Sequence, residues 1–322
     1  MRYGATRVTD WPYPCEPGER VGLADSRTMP QIKAPNGVTL EYDTFGSSTA
    51  PPLLLVMGFG AQMIAWPRAF CERLSSAGRF VIRFDNRDCG LSSKFDGEAV
   101  DLGSVFAAAS AWDLERARAL APYTLSAMSD DALGLLTGLG IERAHIVGSS
   151  MGGMIAQTMA IEHPERTMTL TSMMSTTGES DFGQSTPAAA EALRTPPPGD
   201  RQGYIDAVAR KSLTWSSKRY GDLSAARELA AASYDRCYCP SGRSRQLAAM
   251  IASGSRADGL RGLQVSTLVI HGLDDTLIAP SGGERTAALV PGADLLLLPD
   301  MGHDRPMPLW PQLCDAILEH TR

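Results

Sequence analysis

Ala144-His145-Ile146-Val147-Gly148-Ser149-Ser150-Met151-Gly152-Gly153 is the stretch of sequence that decides the fold. The first four residues predict a β-strand, and the residues from Met151 onward predict a helix that ends before Pro164. Between them, residues 148–152 match the pattern Gly-x-Ser-x-Gly, which in a strand–turn–helix context places the serine on a sharp, exposed turn. The stretch therefore predicts an α/β fold with Ser150 as a candidate nucleophile, and we expect Ser149 to be structural.

Short apolar runs and longer helical patterns alternate on both sides of this stretch. We predict strands at residues 38–43, 52–57, 80–84, 144–148, 168–173, 266–271 and 293–298. Helical spacing falls between them, at residues 66–76, 124–138, 151–163, 282–290 and 308–321. This alternation is typical of a mostly parallel central sheet flanked by helices. The continuous apolar runs at 53–56 and 295–298 predict strands buried on both faces.

About ninety residues between the predicted strands at 168–173 and 266–271 show helical patterns only. Because a loop of that length without structure of its own is uncommon, we predict an inserted helical cap over the sheet. The predicted domains are an N-terminal extension at 1–30, a core at 31–176 and 264–322, and a cap (lid) at 177–263. A smaller insertion at 94–122 is expected to add to the same rim.

Charge and hydropathy exclude several classes of protein. The net charge is −6 and no basic run is present, whereas nucleic-acid binding relies on clustered Lys and Arg, so we expect no nucleic-acid partner. No stretch approaches the roughly 18 apolar residues that span a bilayer. The first thirty residues also lack the apolar segment of a secretory signal. We therefore expect no membrane partner and a cytoplasmic location; the oligomeric state stays open.

Six cysteines are scattered without the spacing of a disulfide framework, which predicts reduced thiols. Cys237 and Cys239 form the one close pair, and a zinc site would need further ligands nearby. We predict no metal and no cofactor.

A serine nucleophile at neutral pH needs a base, a group that orients the base, and donors for the oxyanion. His303 follows the strand predicted at 293–298 and is the expected general base. Asp275 follows the strand predicted at 266–271 and is the expected acid, with Asp274 as the alternative in the same loop. The order serine, acid, histidine is the one found in this architecture. Two further carboxylates, Asp300 and Asp304, lie too close in sequence to the histidine to be favoured.

The oxyanion donors are expected to be two backbone N–H groups. One belongs to Met151, the residue after the nucleophile, and the other to Phe59, in the loop Gly58-Phe59-Gly60 after the strand predicted at 52–57. The helix that begins at Met151 adds positive potential at its N-terminus.

With these parts in place, residues 32–322 resemble the α/β-hydrolase superfamily. Three runs are closer to the subgroup of aclacinomycin methylesterases and serine-dependent macrolide esterases: VMGFGAQMIAWP (56–67), RFDNRDCGLS (83–92) and GSSMGGMIAQ (148–157). The chain departs from common superfamily patterns at Met57, where many members have His, and at Cys89. The resemblance implies cofactor-free hydrolysis of esters or lactones of bulky polyketides, which confers antibiotic resistance in some members.

The sequence therefore predicts a serine carboxylic-ester hydrolase that acts through an acyl-enzyme on a bulky apolar ester or lactone, with a macrolide lactone as the leading substrate. Alternatives are a methylesterase of another polyketide, a general carboxylesterase, a cofactor-free perhydrolase or C–C hydrolase, and a non-catalytic ligand receptor. Aromatic residues are expected to line the substrate pocket or to pack within the cap: Trp112, Trp215, Tyr220, Tyr234 and Tyr238.

Overall fold

The computed structural model describes residues 29–322, so the predicted extension at 1–30 lies almost wholly outside the described residues. Eight strands form one sheet in the order β1-β2-β4-β3-β5-β6-β7-β8. β2 pairs antiparallel with β1 and β4, and every other pairing is parallel. The strands are β1 (Gln31–Lys33), β2 (Thr39–Phe45), β3 (Pro52–Val56), β4 (Phe80–Phe84), β5 (Ala144–Ser149), β6 (Thr167–Met173), β7 (Thr267–Gly272) and β8 (Asp294–Leu298).

Twelve α-helices are present in the described part of the chain. They are α1 (Arg68–Ser76), α2 (Leu102–Ser110), α3 (Leu114–Leu120), α4 (Leu125–Gly138), α5 (Met151–Glu162), α6 (Pro187–Arg194), α7 (Arg201–Ser212), α8 (Leu223–Arg236), α9 (Ser241–Ser253), α10 (Ala257–Arg261), α11 (Ser281–Leu289) and α12 (Trp310–His320). Several begin at a residue whose side chain accepts backbone N–H groups of the first turn: Asp101, Asp113, Thr124, Thr186, Asp200 and Asp222. The predicted mostly parallel sheet flanked by helices is confirmed.

β3 shows why the sheet is buried on both faces. Leu54 and Val56 join a core cluster with residues of α4 and α5, whereas Leu53 and Leu55 join a second cluster with residues of α1 and α12. All four side chains are fully buried. The continuous apolar run therefore forms a strand that is buried on both faces, as predicted.

The same prediction is wrong for β8. Leu295 is 40% exposed and only Leu298 of that strand is buried. β8 pairs with β7 alone and is an edge strand of the sheet, so helices do not cover both of its faces. A run of four leucines cannot distinguish an edge strand from a central one. The short edge strand β1 was also missed, because three residues carry too little pattern.

Helices α6 to α10 occupy the stretch between β6 and β7. Within it, Ala249 of α9 and Leu260 of α10 belong to the same buried cluster as the central strands. The end of this stretch therefore packs into the main core. We call helices α6 to α9 the helical insert. The division into core and cap stays a prediction.

Four of the cysteines are free and buried: Cys71, Cys89, Cys237 and Cys314. Cys239 is disulfide-bonded, which departs from the expectation of reduced thiols at all positions. Within residues 29–322, no helix has the length and apolar character needed to cross a bilayer.

Candidate active site

Ser150 lies at the junction of β5, which ends at Ser149, and α5, which begins at Met151. Its backbone has φ 59° and ψ −122°, a conformation that L-residues rarely adopt and that the surrounding structure must hold in place. Two glycines make the turn possible. A Cβ on Gly148 would lie 2.1 Å from the carbonyl oxygen of Gly152, and a Cβ on Gly152 would lie 2.1 Å from that of Val56.

A chain of hydrogen bonds joins the three side chains that the sequence singled out. Nε2 of His303 lies 2.8 Å from Oγ of Ser150. Nδ1 of the same ring lies 2.7 Å from Oδ2 of Asp275. The acid and the base follow β7 and β8 respectively, so both stand at the carboxyl edge of the sheet beside the serine. This arrangement allows His303 to take the hydroxyl proton while Asp275 fixes the ring.

Asp275 is almost fully buried and its two oxygens have separate partners. Oδ1 accepts the backbone N–H groups of Leu277 and Ile278, both at 2.9 Å, whereas Oδ2 faces His303 and lies 3.4 Å from Nε2 of His271. Burial alone would raise the pKa of this carboxyl, but the charges and hydrogen bonds of the two histidines lower it to about 2. The carboxylate is therefore ionised throughout the neutral range.

The three alternative carboxylates have other partners. Asp274 accepts from the backbone N–H of Lys218 at 3.2 Å and pairs with the ammonium of the same residue. Asp300 pairs with Arg219 at the surface. Asp304 accepts backbone N–H groups of Ser217 and Gly302, each at 3.1 Å. The structure places Asp275 beside His303, whereas the carboxylates of Asp274, Asp300 and Asp304 bind other groups.

The loop after β3 lies against the nucleophile. A Cβ on Gly58 would lie 3.0 Å from Cβ of Ser150, so the backbone of the two segments is in close contact. Within residues 29–322, the N–H groups of Phe59 and Met151 donate to no other residue. Two unpaired backbone donors on either side of a serine hydroxyl are the elements of an oxyanion hole.

Side chains from the helical insert hold this loop. Oε1 of Gln246, on α9, accepts the N–H of Gly60 at 2.8 Å, and its Nε2 donates to the carbonyl of Arg87 at 2.8 Å. Gln62 donates to the carbonyl groups of Ser233 and Cys237 near the end of α8, at 2.7 and 2.9 Å. The position of the donor loop therefore depends on the insert as well as on β3.

Sequence reasoning missed several residues around the triad. His271 contacts the buried carboxylate, although its place beside the acid loop, four residues before Asp275, could have indicated this. Arg305, two residues after the histidine, donates to Oγ of Ser149 and to the carbonyl of Ala65, both at 2.8 Å, and lies over the Trp66 ring. Burial lowers its pKa to about 10.

The backbone of the insert also reaches the histidine loop. The carbonyl oxygen of Trp215 accepts the N–H of His303 at 2.6 Å. No sequence pattern could have found this contact, because it depends on how the insert folds back onto the sheet.

The aromatic residues that were expected to line a pocket or pack within the cap lie in different environments. Trp112, between α2 and α3, is 82% exposed, which is the exposure of a surface residue rather than of a pocket wall. Tyr204, Tyr234 and Tyr238 form a cluster with ring centroids 4.8 to 5.5 Å apart. We call these three rings the tyrosine cluster. Tyr220 packs against the apolar core below the helices.

No set of three or more His, Cys, Asp or Glu side chains within the described part of the chain is arranged to hold a metal ion.

Comparisons with known proteins show which proteins the chain resembles. Rhodomycin D methylesterase DauP of Streptomyces sp. (strain C5) is 29% identical over 309 residues, covering 88% of this chain and 95% of that protein. Rhodomycin D methylesterase DnrP of Streptomyces peucetius is 29% identical over 307 residues, with the same coverage. The resemblance to a methylesterase subgroup is therefore confirmed.

The solved structure of the esterase EaEST from Exiguobacterium antarcticum superposes with a TM-score of 0.69 at 17% identity, over 91% of this chain and 99% of that one. This likeness concerns the fold alone. The family model described as "alpha/beta hydrolase fold" matches residues 51–305. The chain therefore belongs to the α/β-hydrolase family and is an enzyme of that type.

Proposed function

We propose that the protein is a serine carboxylic-ester hydrolase that acts through an acyl-enzyme. The observation that carries the proposal is the hydrogen-bond chain from Oγ of Ser150 through His303 to Asp275. His303 accepts the hydroxyl proton as Oγ attacks the substrate carbonyl, and the imidazolium is stabilised by the ionised carboxylate.

The N–H groups of Phe59 and Met151 then receive the oxyanion of the tetrahedral intermediate. Because both donors are already unpaired in the described structure, little reorganisation is needed when the charge develops. The imidazolium protonates the departing alcohol, and the acyl group stays on the serine. Water attacks this ester with the histidine again as base, and releases the acid and the free enzyme.

The substrate is proposed to be a bulky, largely apolar ester. The names of the two Streptomyces relatives favour the methyl ester of a polyketide. A macrolide lactone is the second candidate, supported by the three sequence runs that resemble macrolide esterases. Both substrates require the same steps, and they differ in whether an alcohol departs or the ring opens. Inactivation of a macrolide antibiotic is a consequence only of the second.

A mass-spectrometric panel tests the reaction and separates the substrates. The purified enzyme is incubated with nitrophenyl esters, polyketide methyl esters and 16-membered macrolides. A methyl ester gives methanol and a free acid, whereas a lactone gains the mass of one water. Failure to hydrolyse any ester or lactone at saturating enzyme would contradict the proposed function.

Ser150→Ala is the matched control for that panel. We expect it to lower kcat by about 10⁶-fold, because no other group can form the acyl-enzyme, and to leave only the small acceleration that the oxyanion donors and substrate binding provide. Circular dichroism is expected to show an unchanged fold, since the substitution removes a single hydroxyl. Activity that survives in this variant would overturn the mechanism whatever the substrate.

A further inference from the structure

Arg243, on α9, lies on the loop that carries the proposed oxyanion donor. Its guanidinium carbon is 4.5 Å from the centroid of the Phe59 ring. Gly60 has φ +63°, and a Cβ there would lie 2.4 Å from Nη1 of the arginine. Gly58 of the same loop touches Ser150, so the guanidinium contacts the loop that leads to the proposed nucleophile.

Apart from the Phe59 ring, this cation has no partner within residues 29–322. No hydrogen bond or ion pair joins its guanidinium to another side chain or to the backbone. Arg245, two residues further along α9, shows the contrast: it pairs with Asp88 at 2.7 Å and with Asp96 at 3.0 Å. Burial lowers the pKa of Arg243, and an unpaired buried charge costs free energy.

Arg243 as a whole is nevertheless partly exposed. A partly exposed cation without a hydrogen-bond or ion-pair partner has donors available for a ligand. Such a group can pair with a ligand without first breaking an ion pair.

Within residues 29–322, no carboxylate compensates the charge of Arg243. The ionisable groups that act on it are Tyr204 and Cys89, and burial raises the pKa of both above its ordinary value, so both are neutral at pH 7. Lys211 lies near enough for the two positive charges to repel each other. Burial, with a smaller contribution from this repulsion, lowers the pKa of Lys211 to about 8. Two cations, Arg243 and Lys211, therefore lie near each other in this region.

Tyr204 adds a neutral donor to the same region. Its hydroxyl makes no hydrogen bond within the described residues, and its ring packs in the tyrosine cluster. Phe59 and Tyr204 are thus aromatic neighbours of one unpaired guanidinium.

We propose that Arg243 binds a carboxylate of the substrate, so that the enzyme prefers esters that carry a second, anionic oxygen group. A guanidinium forms paired, charge-assisted hydrogen bonds with a carboxylate, and the nearby ammonium of Lys211 adds to the attraction for an anion. This inference rests on the proposed ester hydrolysis and adds a substrate class to it.

Two matched pairs of esters test the proposal, one for each side of the scissile bond. On the acyl side, 4-nitrophenyl hydrogen glutarate is compared with 4-nitrophenyl valerate. On the alcohol side, 4-acetoxybenzoate is compared with 4-acetoxybenzamide. We expect kcat/KM for the anionic member to exceed that for the neutral member by about 10-fold or more in at least one pair.

Variants then assign the preference. Arg243→Met is expected to bring the anionic-to-neutral ratio of kcat/KM close to one, and Arg243→Lys to keep part of it, because lysine retains the charge but not the planar pair of donors. Arg227→Met, which removes an exposed cation paired with Asp206 on the same insert, is the control and should leave the ratio unchanged. If the role of Arg243 were purely structural, Arg243→Met would lower kcat/KM equally for the anionic and the neutral ester.

The outcomes separate this inference from the function on which it rests. If neutral esters are cleaved in a Ser150-dependent manner but neither pair shows a preference, the carboxylate proposal fails and the esterase proposal stands. A preference that persists in Arg243→Met also contradicts it. If no ester is hydrolysed at all, both proposals fail.

Discussion

The two oxygens of Asp275 have different partners, and this division explains how one side chain holds both the loop and the base. Oδ1 binds the backbone of its own loop, so the carboxylate cannot rotate away from the imidazole. Oδ2 is left for His303. Asp304 is also held by two backbone N–H groups, but these belong to Ser217 and Gly302, and its carboxylate does not bind the imidazole.

We expect Asp275→Asn to lower kcat on the order of 10⁴-fold, with a much smaller change in KM. The amide no longer stabilises the imidazolium and can hold the ring in the wrong tautomer. Steady-state kinetics with a nitrophenyl ester measures both constants. Asp300→Asn is the matched control, since that carboxylate pairs only with Arg219 at the surface, and its kcat should stay within about two-fold. Equal losses in the two variants would contradict the assignment of the acid.

For single residues, the sequence predicted the candidate site wherever a residue of the required chemistry directly follows a predicted strand. Ser150, Asp275 and His303 each follow a predicted strand, and parallel strands end at one edge, so their meeting could be expected. Arg243 gave no such signal. It is one of several arginines in a helical stretch, and its lack of a partner depends on where α9 packs.

α9 is the element that links the helical insert to the reaction centre. Its buried face contributes Gln246 to the oxyanion loop and Ala249 to the main core. The sequence predicted helices here, but it could not predict that this one packs against α2, α3 and α4. That choice is made by tertiary contacts that are remote in sequence.

Gln246→Ala is expected to reduce kcat about 10-fold or more with little effect on KM, because the donor loop loses the acceptor that fixes Gly60. Leaving that buried N–H and the Arg87 carbonyl without partners should lower the free energy of unfolding by about 2 kcal/mol. Stopped-flow or steady-state kinetics and urea unfolding give the two quantities.

Gln246→Glu retains an acceptor for Gly60 and should recover part of the rate, whereas Ser244→Ala on the same helix should behave as wild type. A kcat for Gln246→Ala equal to that of the Ser244 variant would show that the loop is fixed by other contacts.

Across the whole molecule, the mostly parallel sheet flanked by helices was predicted from the alternation of strands and helices, whereas the order of the strands was not predicted. The exposure of β8 did not follow, because edge position is a property of the sheet and not of the strand.

The thiols give a way to measure how tightly the whole core is closed. Cys71 and Cys314 both belong to the cluster around α1 and α12.

We expect iodoacetamide at pH 8 to leave Cys71 and Cys314 unmodified in the native enzyme. Burial raises the pKa of both thiols to about 12, so the reactive thiolate is scarce, and the reagent cannot reach the core. Mass spectrometry of peptides, with and without denaturant, measures the modification. Rapid alkylation of either thiol under native conditions would show that this side of the core opens readily. Ester hydrolysis should survive the treatment, as expected for a serine rather than a cysteine nucleophile.

The N–H of His303 donates to the carbonyl of Trp215, so the helical insert helps to hold the proposed catalytic base. The insert is also the segment that would be exchanged to change the substrate. Ser217, two residues after Trp215, braces the same loop through Asp304. The proposed cap therefore also supports the proposed catalytic base. A chimera that receives the insert of a relative is expected to need both backbone contacts, or it would lose its rate whatever substrate it binds.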